Sequence, residues 1–118
     1  MCIRDREIVK TLIAAKAEVN KANAYGETPL YMASQNGYLE IVKTLIVAKA
    51  EVDKSTAYGW TPLYMASQNG YLEIVKTLIA AKAEVNMSTA YGYTPLSIAL
   101  AKKRYEVAAV LREAGAHE

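Results

Sequence analysis

The feature that most limits what this chain can fold into is a 33-residue period. Lys21–Asp53 laid on Lys54–Asn86 gives 28 identities in 33 positions; the differences are Ala22/Ser55, Asn23/Thr56, Glu27/Trp60, Val47/Ala80 and Asp53/Asn86. A third copy starts at Met87 and diverges after Leu96, and Glu7–Asn20 matches Glu40–Asp53, so half a repeat precedes the first full one. A unit that recurs at this length is one supersecondary element that cannot bury its apolar side alone. The copies must stack, and the core is then shared between neighbours in a quasi-one-dimensional solenoid.

Each unit reads as two short helices and a turn. Thr28-Pro29-Leu30 opens the first helix, because Thr is a good N-cap and the missing N–H of Pro has no helical partner at the first position. Gly37 ends that helix by permitting a left-handed residue. Leu39 to Ala48 forms the second helix, with Ile41, Val42, Leu45 and Ile46 on one face and Glu40 and Lys43 at pairing distance on the other. The polar stretch from Glu51 to Gly59 suits a hairpin-like connector. The marks recur at Thr61-Pro62-Leu63, Gly70, Gly92 and Thr94-Pro95-Leu96. Helices shorter than about 12–15 residues are marginal alone in water, so stacking must supply their stability.

Gly-x-Thr-Pro-Leu, Ala-Ser-x-x-Gly, Leu-Glu-Ile-Val-Lys-x-Leu-Ile and Ala-Glu-Val-Asn/Asp, in register and repeated, resemble the ankyrin repeat. The resemblance covers Glu7 to about Ala116. It implies an all-α repeat solenoid of helix–turn–helix units with projecting hairpins, and a concave face of hairpin tips and first helices that binds partners. It also implies left-handed backbone at Lys16, Lys49 and Lys82, which stand where the family has Gly; Gly115 keeps it. Tyr31, Tyr64 and Ser97 replace the family's His after Thr-Pro-Leu. Tyr38, Tyr71 and either Arg104 or Tyr105 replace its second His. Asn23, Thr56 and Thr89 replace an Asp before the hairpin turn. These departures predict weaker local hydrogen bonding and capping. Tyr31, Tyr64, Tyr38 and Tyr71 occupy positions that hold repeats together in the family.

The ends differ from the middle. Met1–Arg6 does not fit the repeat, resembles the translation of a transposon-end adaptor used in sequencing, and reads as a non-native leader. The remainder, 7–118, divides into a partial repeat (7–22), full repeats (23–55 and 56–88) and a C-terminal capping repeat (89–118). Its last second helix carries Arg112 where Ile46 and Ile79 stand, the polar outer face that a terminal repeat needs. Without a preceding repeat, the face of Ile8, Val9, Leu12 and Ile13 is expected to be the weak edge.

A search for chemistry finds little. Hydrophobic residues make up 53% and charged residues 22%, a globular balance, and the net charge is only +2. Lys49 and Lys82 are offset by Glu51 and Glu84, which argues against a nucleic-acid surface. No apolar run reaches the roughly 18 residues of a membrane span, and no signal peptide is visible. With Cys2 the only cysteine, neither an intramolecular disulfide nor a cysteine metal cluster can form. His117 is the lone histidine and sits by the chain end. The glycines are isolated turn residues rather than a phosphate-cradling loop. The expectation is a non-catalytic, intracellular, cytoplasmic monomer that uses no metal, cofactor or small-molecule substrate, and whose partner is another protein.

The candidate partner-binding residues are those that the resemblance places on the hairpin tips and the concave side: Tyr25, Glu27, Tyr58, Trp60, Tyr91 and Tyr93 at the tips, with Gln35, Asn36, Gln68, Asn69 and Lys102 near the ends of first helices. Aromatics at tips bury large area at low entropy cost, the chemistry of interface hot spots. Trp60 stands where the near-identical preceding repeat has Glu27, so the fold itself does not call for an aromatic there. The competing readings are an architectural spacer, or an appendage that recruits substrate for a larger enzyme.

Overall fold

The computed structural model describes residues 19–117. The leader at 1–6, most of the partial repeat with Ile8, Val9, Leu12 and Ile13, and Lys16 lie outside the described residues. Within them are six helices and no strand. The first helices are α1 (Pro29–Asn36), α3 (Pro62–Asn69) and α5 (Pro95–Ala101); the second helices are α2 (Leu39–Val47), α4 (Leu72–Ala80) and α6 (Tyr105–Glu113). α1, α3 and α5 stack in one row, α2, α4 and α6 in another, and each repeat closes by packing its own two helices together. The result is an all-α solenoid two helices deep.

The local signals work as read. The hydroxyls of Thr28, Thr61 and Thr94 each accept an N–H at 3.1 Å, from Tyr31, Tyr64 and Ser97, with Pro opening the helix behind them. At Ser97 the expectation of weaker capping is overturned. Its hydroxyl accepts the Thr94 N–H at 2.8 Å and closes a reciprocal capping box that tyrosine at the same position cannot form. Gly37 and Gly70 end their helices at φ 80° and 76°. A side chain there would be strained by the positive φ and would also crowd a neighbour, since a Cβ would stand 3.0 Å from the Tyr71 ring at Gly37 and 2.9 Å from Arg104 Cδ at Gly70. The second helices α2 and α4 end without glycine: Lys49 and Lys82 take φ 72° and 73°, left-handed as expected, whereas Gly115 follows α6 at φ 98°. After the first helix α5, exposed Lys103 is also left-handed at 62°.

The core follows the period. Leu30, Leu63 and Leu96 line up with Val42, Val75 and Ala108 and with Leu45, Leu78 and Leu111, all fully or almost fully buried. Full burial of each leucine contributes on the order of 1.5–3 kcal/mol. Beneath the second helices runs a polar ladder with the same period. The side-chain oxygens of Asn20, Asp53 and Asn86 accept the N–H of Glu51, Glu84 and His117 at 2.8, 3.0 and 3.0 Å. Asn20, Asp53 and Asn86 thus pin the segment that follows the next second helix, and His117, by the chain end, is held in this way. On the outer face, Lys43–Glu40 and Lys76–Glu73 pair at 3.9 and 3.6 Å. In α6 Arg112 is exposed where Ile46 and Ile79 are half-buried. No helix among the described residues is long and apolar enough to cross a membrane.

Candidate partner-binding surface

The surface starts with the hairpins. Each is closed by paired backbone bonds: Asn23 N–H to Glu27 O at 3.1 Å, Thr56 to Trp60 at 3.0 Å and Thr89 to Tyr93 at 2.7 Å, with Gly26, Gly59 and Gly92 turning the tip. Inside each loop one side chain collects two further N–H groups. Asn23 Oδ1 accepts from Tyr25 and Glu27 at 2.9 and 3.0 Å. Thr56 Oγ1 accepts from Tyr58 and Trp60 at 3.3 Å each, and Thr89 Oγ1 from Tyr91 and Tyr93 at 3.3 and 3.2 Å. The bonds are longer at threonine than at Asn23, and both threonines are buried whereas Asn23 is exposed. Neighbouring hairpins touch: Ala90 N–H donates to Tyr58 O at 2.9 Å.

This framework holds tyrosines outward. Tyr25, Tyr58, Tyr91 and Tyr93 are 73%, 52%, 72% and 49% exposed. Trp60 is different. It is half-buried and packs against a cluster of Tyr31, Tyr64, Met65 and Ile98, which joins its tip to the row of first helices. The Tyr58 ring lies over it with centroids 5.1 Å apart at 35°. Two residues on one loop are close enough for their rings to meet. Glu27 turns instead to Asn23, whose Nδ2 donates to Glu27 Oε1 at 2.9 Å.

The amides near the first-helix ends divide as well. Asn36 is exposed and donates to Met32 O of its own helix at 2.9 Å. Asn69 donates across the repeat boundary to Gln35 O at 3.1 Å. Gln68 O accepts Arg104 Nε at 3.1 Å. Gln35 and Gln68 are half-buried, and exposed Lys102 closes α5. Arg104, not Tyr105, takes the place of Tyr38 and Tyr71: all three precede a second helix. The cross-repeat bonds of Asn69 and Arg104 join residues 34 and 36 apart. Periodicity marks those positions as equivalent but does not reveal the contact.

Tyr31 and Tyr64 are buried in the same cluster, as their expected structural role requires. Burial first, and then the nearby Glu27 carboxylate, pushes the Tyr31 phenol up to about 12. Burial and then Tyr93 raise that of Tyr64. Among the described residues no group of His, Cys, Asp or Glu is arranged to hold a metal ion.

Stacked helix pairs with lateral hairpins define a repeat scaffold whose variable chemistry lies at the loop tips. The family follows from the whole chain: a model of ankyrin repeats (three copies) matches residues 1–89 and 48–118. The chain belongs to the ankyrin-repeat family, whose members are typically non-catalytic and generally serve as protein–protein interaction modules. No curated protein matches the chain.

Proposed function

We propose that this chain is a non-catalytic module that binds another protein across the hairpin tips and the first-helix row. The observation that carries the reading is the set of outward tyrosines, one or two per hairpin, held on loops that their own backbone and side-chain bonds brace. Their apolar area has no use in the core, and exposed aromatics on a rigid frame fit interface hot spots. Trp60 contributes by bracing the tip and joining it to the helical row. Gln35, Asn36, Gln68, Asn69 and Lys102 border the same surface, with Asn69 partly committed to holding the repeats together.

The test is a binder selected against the intact domain, with affinity then measured on variants. Tyr58→Ser combined with Tyr91→Ser is expected to weaken it by more than about tenfold, the effect of losing one or two hot spots. Glu40→Gln with Glu73→Gln, on the outer helical face, should leave it unchanged. Affinity that survives the first pair and falls with the second would move the binding surface to the opposite side.

A further inference from the structure

The stretch Ser-Gln-Asn-Gly-Tyr-Leu-Glu occurs twice, at 34–40 and 67–73. In both copies Asn ends a first helix, and Gly follows at φ 80° or 76°. An Asn-Gly step is open to an internal reaction because glycine has no Cβ to hinder its own nitrogen. The glycine nitrogen, losing its proton to solvent base, attacks the asparagine Cγ. The Cγ–Nδ2 bond breaks, ammonia leaves, and a cyclic imide forms. Water then opens the imide at Cγ to give aspartate, or at the backbone carbonyl carbon to give isoaspartate. No oxidant or reductant is needed.

The two copies share their sequence and helical setting but not their surroundings. Asn36 is exposed, its Nδ2 bonded only to Met32 O within its own last turn, and the Gly37 N–H donates to Ala33 O. Fraying of one helical turn releases both groups. Asn69 is half-buried, and its Nδ2 reaches back to Gln35 O of the preceding repeat at 3.1 Å. The Gly70 N–H is shared between Ala66 O and Ser67 O. Arg104 of the following repeat clamps the adjoining Gln68 carbonyl at 3.1 Å. Tyr71 covers Gly37 much as Arg104 covers Gly70, so cover over the glycine is common to both. The Gln35 carbonyl beside Asn36 is likewise held by Asn69, so a clamp on the preceding carbonyl is common too. The differences that remain are the half-burial of Asn69, its side-chain bond to another repeat rather than to its own last turn, and the shared Gly70 N–H.

We propose that Asn36 is a site of spontaneous deamidation in the folded protein, and that its twin Asn69 is shielded by the neighbouring repeats. Conversion at Asn36 places a new carboxylate on an exposed first-helix end, and the isoaspartate product also lengthens the backbone at the helix stop.

The chain supplies its own control. Tryptic peptides Ala22–Lys43 and Ser55–Lys76 differ at three positions, so mass spectrometry resolves them. In folded protein held at mildly alkaline pH, Asn36 is expected to convert about fivefold faster than Asn69, the factor that corresponds to one hydrogen bond of typical net strength that must break between repeats rather than within a fraying turn. In concentrated urea the two rates should coincide. Arg104→Ala should bring the folded-state ratio towards one by loosening Asn69. Equal rates in the folded wild type, a faster Asn69, or an inert Asn36 under conditions where the urea control converts would overturn the proposal. A ratio unmoved by Arg104→Ala would remove the clamp from it.

Discussion

The repeats at 21–53 and 54–86 differ at only five positions, yet their hairpins are built on different chemistry. In the first, Asn23 is the loop's acceptor and also donates to Glu27, so the tip is a closed polar circuit. In the second, Thr56 lacks an amide, and Trp60 packs against the Tyr31, Tyr64, Met65 and Ile98 cluster instead. Identical helix residues then meet different surroundings: Met32 is exposed, while Met65 is buried in that cluster. The contrast teaches that the helical frame tolerates either tip, and that loop acceptor and tip residue work as a pair. Asn goes with Glu, and Thr goes with an aromatic.

The largest test of that contrast is Trp60→Ala. The side chain is half-buried, so its loss should destabilise the domain by about 2 kcal/mol, below the roughly 3–5 kcal/mol of a fully buried tryptophan. Glu27→Ala at the equivalent position loses one exposed hydrogen bond and should cost less than about 1 kcal/mol. Urea denaturation of both variants reads the difference directly. Equal losses would mean that the two tips carry equal weight and that the packing of Trp60 adds nothing.

The second test is alkaline. The folded phenol of Tyr31 titrates near 12, against an ordinary value of 10.0. The unfolded chain therefore ionises first as pH rises, and it binds fewer protons than the native state between those values. The stability tied to the neutral phenol is whole below pH 10 and is lost as pH climbs through 12, by roughly 2 kcal/mol. Tyr31→Phe should flatten that part of the pH–stability curve relative to wild type. Glu27→Gln should lower the Tyr31 value in an ultraviolet titration while leaving Tyr64, which is not raised by Glu27. A Tyr31 titration at the ordinary value would show that its ring is solvated.

Some of this was legible in the residues alone. Thr-Pro starts, glycine stops and the i, i+1, i+4, i+5 apolar face are local signals, so the helices and the buried leucine row could be read directly. Left-handed lysines were legible through the family pattern, except Lys103, which stands where Gly37 and Gly70 stand in a third repeat that had already diverged. The Asn20–Asp53–Asn86 ladder was not legible, because its bonds join residues 31 apart and appear only once repeats stack. The packing of Trp60 was hidden for a related reason. Comparison with Glu27 shows that the position tolerates a polar residue, but not which neighbour a ring will find.

Lys49 and Lys82 sharpen the comparison from the other direction, because here the two repeats are alike. Each holds a positive φ that costs a residue with a Cβ roughly 1–2 kcal/mol. Glycine relieves this but makes the unfolded chain more flexible. The double change Lys49→Gly, Lys82→Gly should therefore raise stability by about 1 kcal/mol, in near-equal halves from the single variants. A melting temperature that stays flat or falls would place the offset in the unfolded state; unequal halves would mean that the frames differ beyond their tips.

The smallest effect bears most directly on the pairing of acceptor and tip. Trp60→Glu writes the first hairpin's residue into the second, but it leaves Thr56, which has no side-chain N–H to offer the new carboxylate. The substituted tip would then lose the tryptophan's packing and gain no partner. Adding Thr56→Asn supplies the donor that Asn23 gives Glu27 and shorter acceptor bonds to the loop N–H groups. The buried setting of Thr56 opposes it, since asparagine is larger and Asn23 is exposed. Removal of the tryptophan ring opens space beside the loop and works in its favour. The double variant is therefore expected to be more stable than Trp60→Glu alone by about 0.5 kcal/mol, the scale of one exposed hydrogen bond, while Thr56→Asn with tryptophan retained should not be stabilising. A double-mutant cycle by urea denaturation measures the coupling. Coupling of that sign makes acceptor and tip one unit, so exchanging tips between repeats requires moving both residues together. Zero coupling would mean that the hairpins accept any tip independently and that Asn23–Glu27 is a surface contact without consequence for the fold.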